Sequence, residues 1–301
     1  MKELKIFGIV AVFTLVLYWG VEPFAHSQMH KHVEGDNFQY SDLKPVAAKG
    51  DAAKGEALAA ACVGCHSINA KNMPAPMDAV ASAQAYGVNP PDLSLAGKML
   101  DDKFFVHFLL NPAEVTKSKH FAMPPSAGSE QDAADIVAYF KSIAPKEATP
   151  KEAYEFACGR CHANRYDKWT QIGDVPKTKS NIKTGVDLAA LDFKKNLGVY
   201  QNKLADYMGK LPPDLSIIIR ARNEHFLHTL IENPQSQLPG TAMPRVGLTK
   251  EGTEEVMAYL EKTGDPSKEA RGQVGPWVLA FFFIFTFLAY GWKKAMWKGH
   301  H

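Results

Sequence analysis

The sequence predicts a mainly α protein, with two tandem helical domains set between an N-terminal and a C-terminal transmembrane helix. Three observations carry that expectation. Dense apolar runs stand near both ends of the 301-residue chain, at 6–21 and 274–292. The stretch between them repeats itself, the same short motifs returning in the same order. Within it, apolar residues recur at helical spacing and little strand-like alternation occurs. The length allows about two domains. A formal net charge of +2 gives no basis for a nucleic-acid partner.

The first apolar run has Thr14 as its one clearly polar side chain and follows Lys2 and Lys5. It is near the lower length limit of a bilayer span, about 17 residues. A basic start and an apolar middle also describe a secretory signal peptide. No pair of small residues marks a cleavage site near 21–26, so residues 1–22 read as an uncleaved membrane anchor. The second run is apolar on every face and holds Phe281-Phe282-Phe283-Ile284-Phe285. Trp277, Tyr290, Trp292 and Trp297 flank it as an aromatic belt, and Lys293, Lys294 and Lys298 follow. Positive charge at the outer end of each run puts both termini in the cytoplasm and residues 22–273 across the membrane. In a bacterium that is the inner membrane, with the middle of the chain in the periplasm.

Cys62-Val63-Gly64-Cys65-His66 and Cys158-Gly159-Arg160-Cys161-His162 use all four cysteines of the chain. Each reads as an attachment site for haem c. Two thiols at this spacing form thioethers to the haem vinyl groups, and the following histidine is held under the iron. Two C-x-x-C pairs could also make a zinc ribbon, but zinc does not explain a histidine at the same offset in both. A redox dithiol would want a thioredoxin-like strand and helix pattern, which is missing. The expected cofactors are two covalently bound haem c. Haem c attachment in bacteria occurs outside the cytoplasmic membrane, in agreement with the topology.

The repeat continues beyond the motifs. Pro90-Pro91-Asp92-Leu93-Ser94, Met123-Pro124 and Ala138-Tyr139-Phe140 follow the first; Pro212-Pro213-Asp214-Leu215-Ser216, Met243-Pro244 and Ala258-Tyr259-Leu260 follow the second. Methionine and tyrosine are equally spaced in both copies. The domains are placed at 45–145 and 150–265, with 145–150 as linker. Helices are predicted over 51–61 and 150–157, running into each haem motif, and over 100–110 and 217–231. Final helices over 133–143 and 251–262 are expected to pack back on the first of each half. Each domain, at about 100 residues, is small for a self-sufficient core, and a buried haem would add apolar contact. The extra length of the second copy, 174–210, has no reading from its sequence.

Met123 and Met243 are the candidate sixth ligands. A thioether opposite histidine stabilises reduced iron and raises its potential. Both methionines precede a proline on a predicted loop, at matching positions. Met73 also precedes a proline, but too soon after His66 and without a counterpart. His120 competes with Met123 for the same place. His107, His225 and His228 lie on helical stretches and read as packing or surface residues; His300 and His301 read as a solvated tail. With both axial positions filled, the metal sites are His66 with Met123 and His162 with Met243. No open site is left for substrate, which points to electron transfer and to no catalytic site of the chain's own.

The stretch from Leu211 through Pro212-Pro213-Asp214-Leu215-Ser216 to Arg220-Ala221-Arg222 resembles a signature of cytochrome c1, the haem subunit of cytochrome bc1 complexes. The resemblance implies that Arg220 or Arg222 pairs with a haem propionate, which a guanidinium fork suits. That family also ends in one transmembrane helix and a short basic tail, as residues 274–301 do. The first copy departs from it, with Lys98 and no Arg-x-Arg pair, and forms a whole extra haem domain. The overall layout resembles the dihaem cytochrome c subunit of epsilonproteobacterial bc complexes, with class I cytochrome c-like domains. Its implied partners are a cytochrome b subunit, a Rieske iron–sulfur protein, and a periplasmic cytochrome c or terminal oxidase. The implied function is that of the cytochrome subunit of a quinol:cytochrome c oxidoreductase. Electrons from the Rieske protein would enter at the second copy and leave through the first. A dihaem subunit of a cbb3-type oxidase would not account for the C-terminal helix or the Arg-x-Arg segment. A free membrane-tethered dihaem carrier would need one anchor only. A dihaem peroxidase would want an open or bis-histidine haem.

Overall fold

The computed structural model describes residues 2–30, 39–118, 121–177 and 187–299. Segments Lys2–Val16, Leu17–Val21 and Glu22–His30 abut as one helix, α1, whose middle segment is widened by a π turn. The first half then forms α2 (Ala52–Ala59), α3 (Ala79–Tyr86), α4 (Asp102–Leu110) and α5 (Glu130–Ile143). The second forms α6 (Pro150–Tyr154), α7 (Leu188–Met208), α8 (Ile218–Ala221), α9 (Glu224–Glu232) and α10 (Lys250–Gly264). The last helix is α11 (Lys268–Met296). Short helical turns and a hairpin pairing Trp169–Thr170 with Gly173–Asp174 fill the connections.

Helices α1 and α11 are long and apolar enough to cross a membrane, and neither buries its apolar stretch in the rest of the protein. Lys293 of α11 pairs with Glu3 of α1. The last helix starts at Lys268 rather than 274. Its polar first turn is fastened by Arg271, whose guanidinium reaches Asp265 at 2.6 Å. Hydrophobicity does not register such a turn.

In both halves a first and a last helix cross beside the haem motif. Asp51 caps α2 by accepting from the amides of Ala53 and Lys54, and Ser129 caps α5. The two helices approach so closely that a Cβ on Gly55 would stand 1.9 Å from the Asp135 carbonyl oxygen. Only glycine allows that approach. In the second half a capping box of Thr149 and Glu152, with Pro150 in the first turn, starts α6. Tyr154 then stacks on Tyr259 of α10 with ring centroids 4.4 Å apart.

The apolar spacing over 217–231 predicts one helix, and the structure has two. Arg222 is extended (φ −135°, ψ 150°) and Asn223 caps α9, accepting from the Phe226 amide at 2.7 Å. A cap interrupts the helical backbone without disturbing the apolar period, so the pattern alone misses it. The extra length of the second copy contains the 21-residue helix α7, capped by Asp187.

The halves share one apolar cluster that includes Ala59, Phe105 and Tyr139 of the first with Tyr154, Val256 and Tyr259 of the second. A backbone bridge joins them: the Thr249 amide donates to Met99 at 2.8 Å, and the Asp101 amide to Gly247 at 2.9 Å. Gly247 has φ +77°, and a Cβ there would lie 2.0 Å from the Phe104 ring. The segment before the first half joins this seam, for buried Tyr40 donates its hydroxyl to the Leu248 carbonyl at 2.6 Å.

Candidate haem attachment sites

A tight turn follows the first helix of each half. The Cys62 carbonyl accepts from the amides of Cys65 (3.1 Å) and His66 (2.9 Å); the Cys158 carbonyl accepts from Cys161 (3.0 Å) and His162 (2.9 Å). Each turn gathers two cysteines and an imidazole at the end of a helix. All four cysteines are unbridged.

His66 donates through Nδ1 to the Pro91 carbonyl at 2.8 Å, and His162 through Nδ1 to the Pro213 carbonyl at 2.8 Å. A carbonyl only accepts, so each ring carries its proton on Nδ1 and keeps the Nε2 lone pair for a metal. Burial lowers the pKa of both rings and favours the neutral form that ligates iron. Such a second hydrogen bond fixes the orientation of a metal-binding histidine.

The Pro-Pro-Asp-Leu-Ser runs supply that bond. Two prolines keep the strand extended and unable to form a helix. The aspartate and serine then fasten it to the chain beyond the histidine. Asp92 accepts from the Ser67 hydroxyl (2.6 Å) and the Asn69 amide (3.0 Å), and Ser94 Oγ accepts from the Ala70 amide (2.9 Å). Asp214 accepts from the Arg165 amide (3.1 Å) and Ser216 Oγ from the Tyr166 amide (3.2 Å). The Leu93 amide donates to Ser67 and the Leu215 amide to Ala163, each at 2.9 Å. The motif is thus a cradle for a histidine ring, present twice.

Burial raises the thiols of Cys62 and Cys161 and pushes Cys158 up to about 12. A redox dithiol works through a lowered thiol pKa, the opposite of the direction at these three cysteines. Among the described residues, no three His, Cys, Asp or Glu side chains gather as metal ligands. The cysteine pairs and oriented imidazoles fit a haem c in each half. When bound, it would supply a one-electron iron couple.

The other predicted residues fall as follows. Met123 is half-buried against the shared apolar cluster. Met243 is half-buried too, its carbonyl accepting from Gln235 Nε2 at 2.8 Å. Met73 is held beside the first motif by a backbone bridge to Ile68. His107 bonds through Nε2 to the Lys44 carbonyl at 2.9 Å, a packing role. His120, His300 and His301 lie outside the described residues. Arg220 and Arg222 are both exposed, and the Arg222 guanidinium lies 5.5 Å from the Phe226 ring centroid.

Two residues escaped sequence reasoning. Arg160 lines a cavity of about 580 Å³ between the halves, together with Asn89, Pro91, Asp92 and Trp169. Fully buried Tyr200 of α7 accepts from the Asn89 amide (3.1 Å) and donates to the Arg160 carbonyl (2.8 Å). One phenol therefore joins the cradle of His66 to the Cys-x-x-Cys-His motif of the second half. Nothing in the sequence marks a lone tyrosine in an unread insert.

Residues 52–144 match the cytochrome c family, whose domains carry covalently bound haem c. No curated protein matches the chain. A solved chain described as "Hyperthermophilic respiratory Complex III" is 25% identical with a TM-score of 0.34, covering 50% of this chain and 74% of that one. At that TM-score the likeness carries no argument. The chain is mainly helical and contains a cytochrome c domain.

Proposed function

We propose that this chain is the dihaem c-type cytochrome subunit of a bc1-type quinol:cytochrome c oxidoreductase. The observation that carries the reading is the duplicated cradle, in which the histidine after each Cys-x-x-Cys pair donates to the second proline of a Pro-Pro-Asp-Leu-Ser run at 2.8 Å. Residues 45–145 and 150–265 are then tandem class I cytochrome c-like domains, each holding one haem c. His66 and Met123 ligate in the first, His162 and Met243 in the second. The cytochrome c1-like segment of the second copy favours that half as the acceptor from a Rieske protein, with the first half passing electrons on to a periplasmic cytochrome or oxidase. Exposed Arg220 and Arg222 remain within reach of solvent to pair with a propionate or a partner. Two apolar helices with unburied faces support anchoring in an inner membrane beside a cytochrome b subunit, and the lysines at their outer ends favour both termini in the cytoplasm and haem domains in the periplasm.

The test is the subunit composition of the protein purified from native membranes in mild detergent. A b-type cytochrome and a Rieske protein in fixed ratio are expected. Co-purification with a copper–haem oxidase core, or isolation as a tethered carrier alone, would overturn the assignment.

A further inference from the structure

We infer that each half braces the methionine loop of the other, so that Met123 and Met243 are held in position by residues across the seam. The inference rests on the reading of these methionines as axial ligands. Tyr207 of α7, in the second half, accepts a hydrogen bond of 3.1 Å from the amide of Ala122, the residue before Met123. Its ring packs on Gly87 of the first half, where φ is +84° and a Cβ would stand 2.6 Å away. Tyr200, two helical turns earlier on the same face, takes the Asn89 amide at 3.1 Å. One face of α7 therefore grips both the cradle of His66 and the loop of Met123.

The reverse brace is Arg245, two residues after Met243 and 3% exposed. Its amide donates to the Thr116 carbonyl of the first half at 3.0 Å. Its guanidinium makes a two-pronged pair with Asp42 at 2.7 and 3.1 Å, and lies 5.1 Å from the Tyr40 ring centroid. Pro244, between methionine and arginine, has a fixed φ, so anchoring Arg245 limits where Met243 can go. A ligand on an ordered loop loses less conformational freedom when it binds than one on a free loop. The helix that lengthens the second copy thereby serves the first haem, and the segment before the first copy serves the second.

The experiment uses the full, haem-loaded chain with Tyr207→Phe or Asp42→Asn, both near-isosteric. Reduced-state NMR resolves the methyl signal of an iron-bound methionine, one per haem, assigned with Met123→Ala and Met243→Ala. The methionine–iron charge-transfer absorption follows detachment on alkaline titration. Tyr207→Phe is expected to raise the ratio of detached to bound Met123 about two- to tenfold, the equivalent of one lost hydrogen bond, with Met243 unmoved. Asp42→Asn is expected to do the same to Met243 and spare Met123. Effects that are absent, or equal at both methionines, would overturn the bracing while leaving the ligand reading intact. A parent protein with no bound-methionine signal would sink both.

Discussion

Asp214→Ala tests the cradle behind His162. The substitution removes the acceptor of the Arg165 amide at 3.1 Å and the Ser216 amide at 3.0 Å. Ser216 is only 4% exposed, so water cannot replace the lost partner there. A hydrogen bond to an ionised carboxylate contributes about 1.5–3 kcal/mol, and the exposed Arg165 amide recovers part of its share from water. The Arg165 guanidinium, 82% exposed, adds nothing appreciable. The expected loss is about 3 kcal/mol, which for a cooperative unit made of both halves lowers Tm by roughly 6–12 °C. Thermal unfolding of the full chain in detergent, followed in the far-UV and at the haem absorption, reads this loss. Burial pushes the Asp214 carboxyl up, but hydrogen bonds from Ser216 and Arg165 outweigh it and hold the group below the usual carboxylate range. A depressed folded pKa means the contribution is full above the unfolded value near 3.8 and fades as pH falls through the folded one. Asp214→Asn keeps an acceptor, so it should lose less at pH 7 and lack that acid-dependent fading. An Asp214→Ala Tm within about 2 °C of the parent at pH 7 would refute the reasoning.

Gly55→Ala should destabilise the first half by about 1–3 kcal/mol, since its Cβ would meet backbone. Gly198→Ala, on a face of α7 with nothing within 4 Å, should instead raise Tm slightly; paired melts decide between them. Cys158→Ser with Cys161→Ser should leave half of the haem in a pyridine haemochrome assay, whereas a zinc or dithiol role for the motif would leave the haem count unchanged. Met243→His should keep a six-coordinate iron but lower the potential of one haem only, read by potentiometric titration. Two unshifted potentials would remove Met243 from the ligand set.

Much of the fold could be read from pattern. Helices α2, α4, α5, α6 and α10 answer to the predicted spans, while the caps Asp51, Ser129 and Thr149 are seen only in the structure. The break at Arg222 and Asn223 could not be read that way, because a cap within an apolar period leaves the period intact. Helix α7 went unread because its apolar face is short and its partner α3 lies in the other half. Buried Tyr200 looks like any other tyrosine until its hydroxyl finds the Arg160 carbonyl forty residues away in the chain.

Local chemistry is what the sequence by itself determined. Two Cys-x-x-Cys-His motifs and two apolar ends each rest on residues close together in the chain, so their spacing suffices to mark them. The tertiary structure decided which distant group each one meets. It turned Pro91 and Pro213 into acceptors for His66 and His162, and it set Arg245 on Asp42 across the seam between the halves. Hydrogen bonds and close packing between residues far apart in the chain depend on how helices cross, and no local pattern records a crossing.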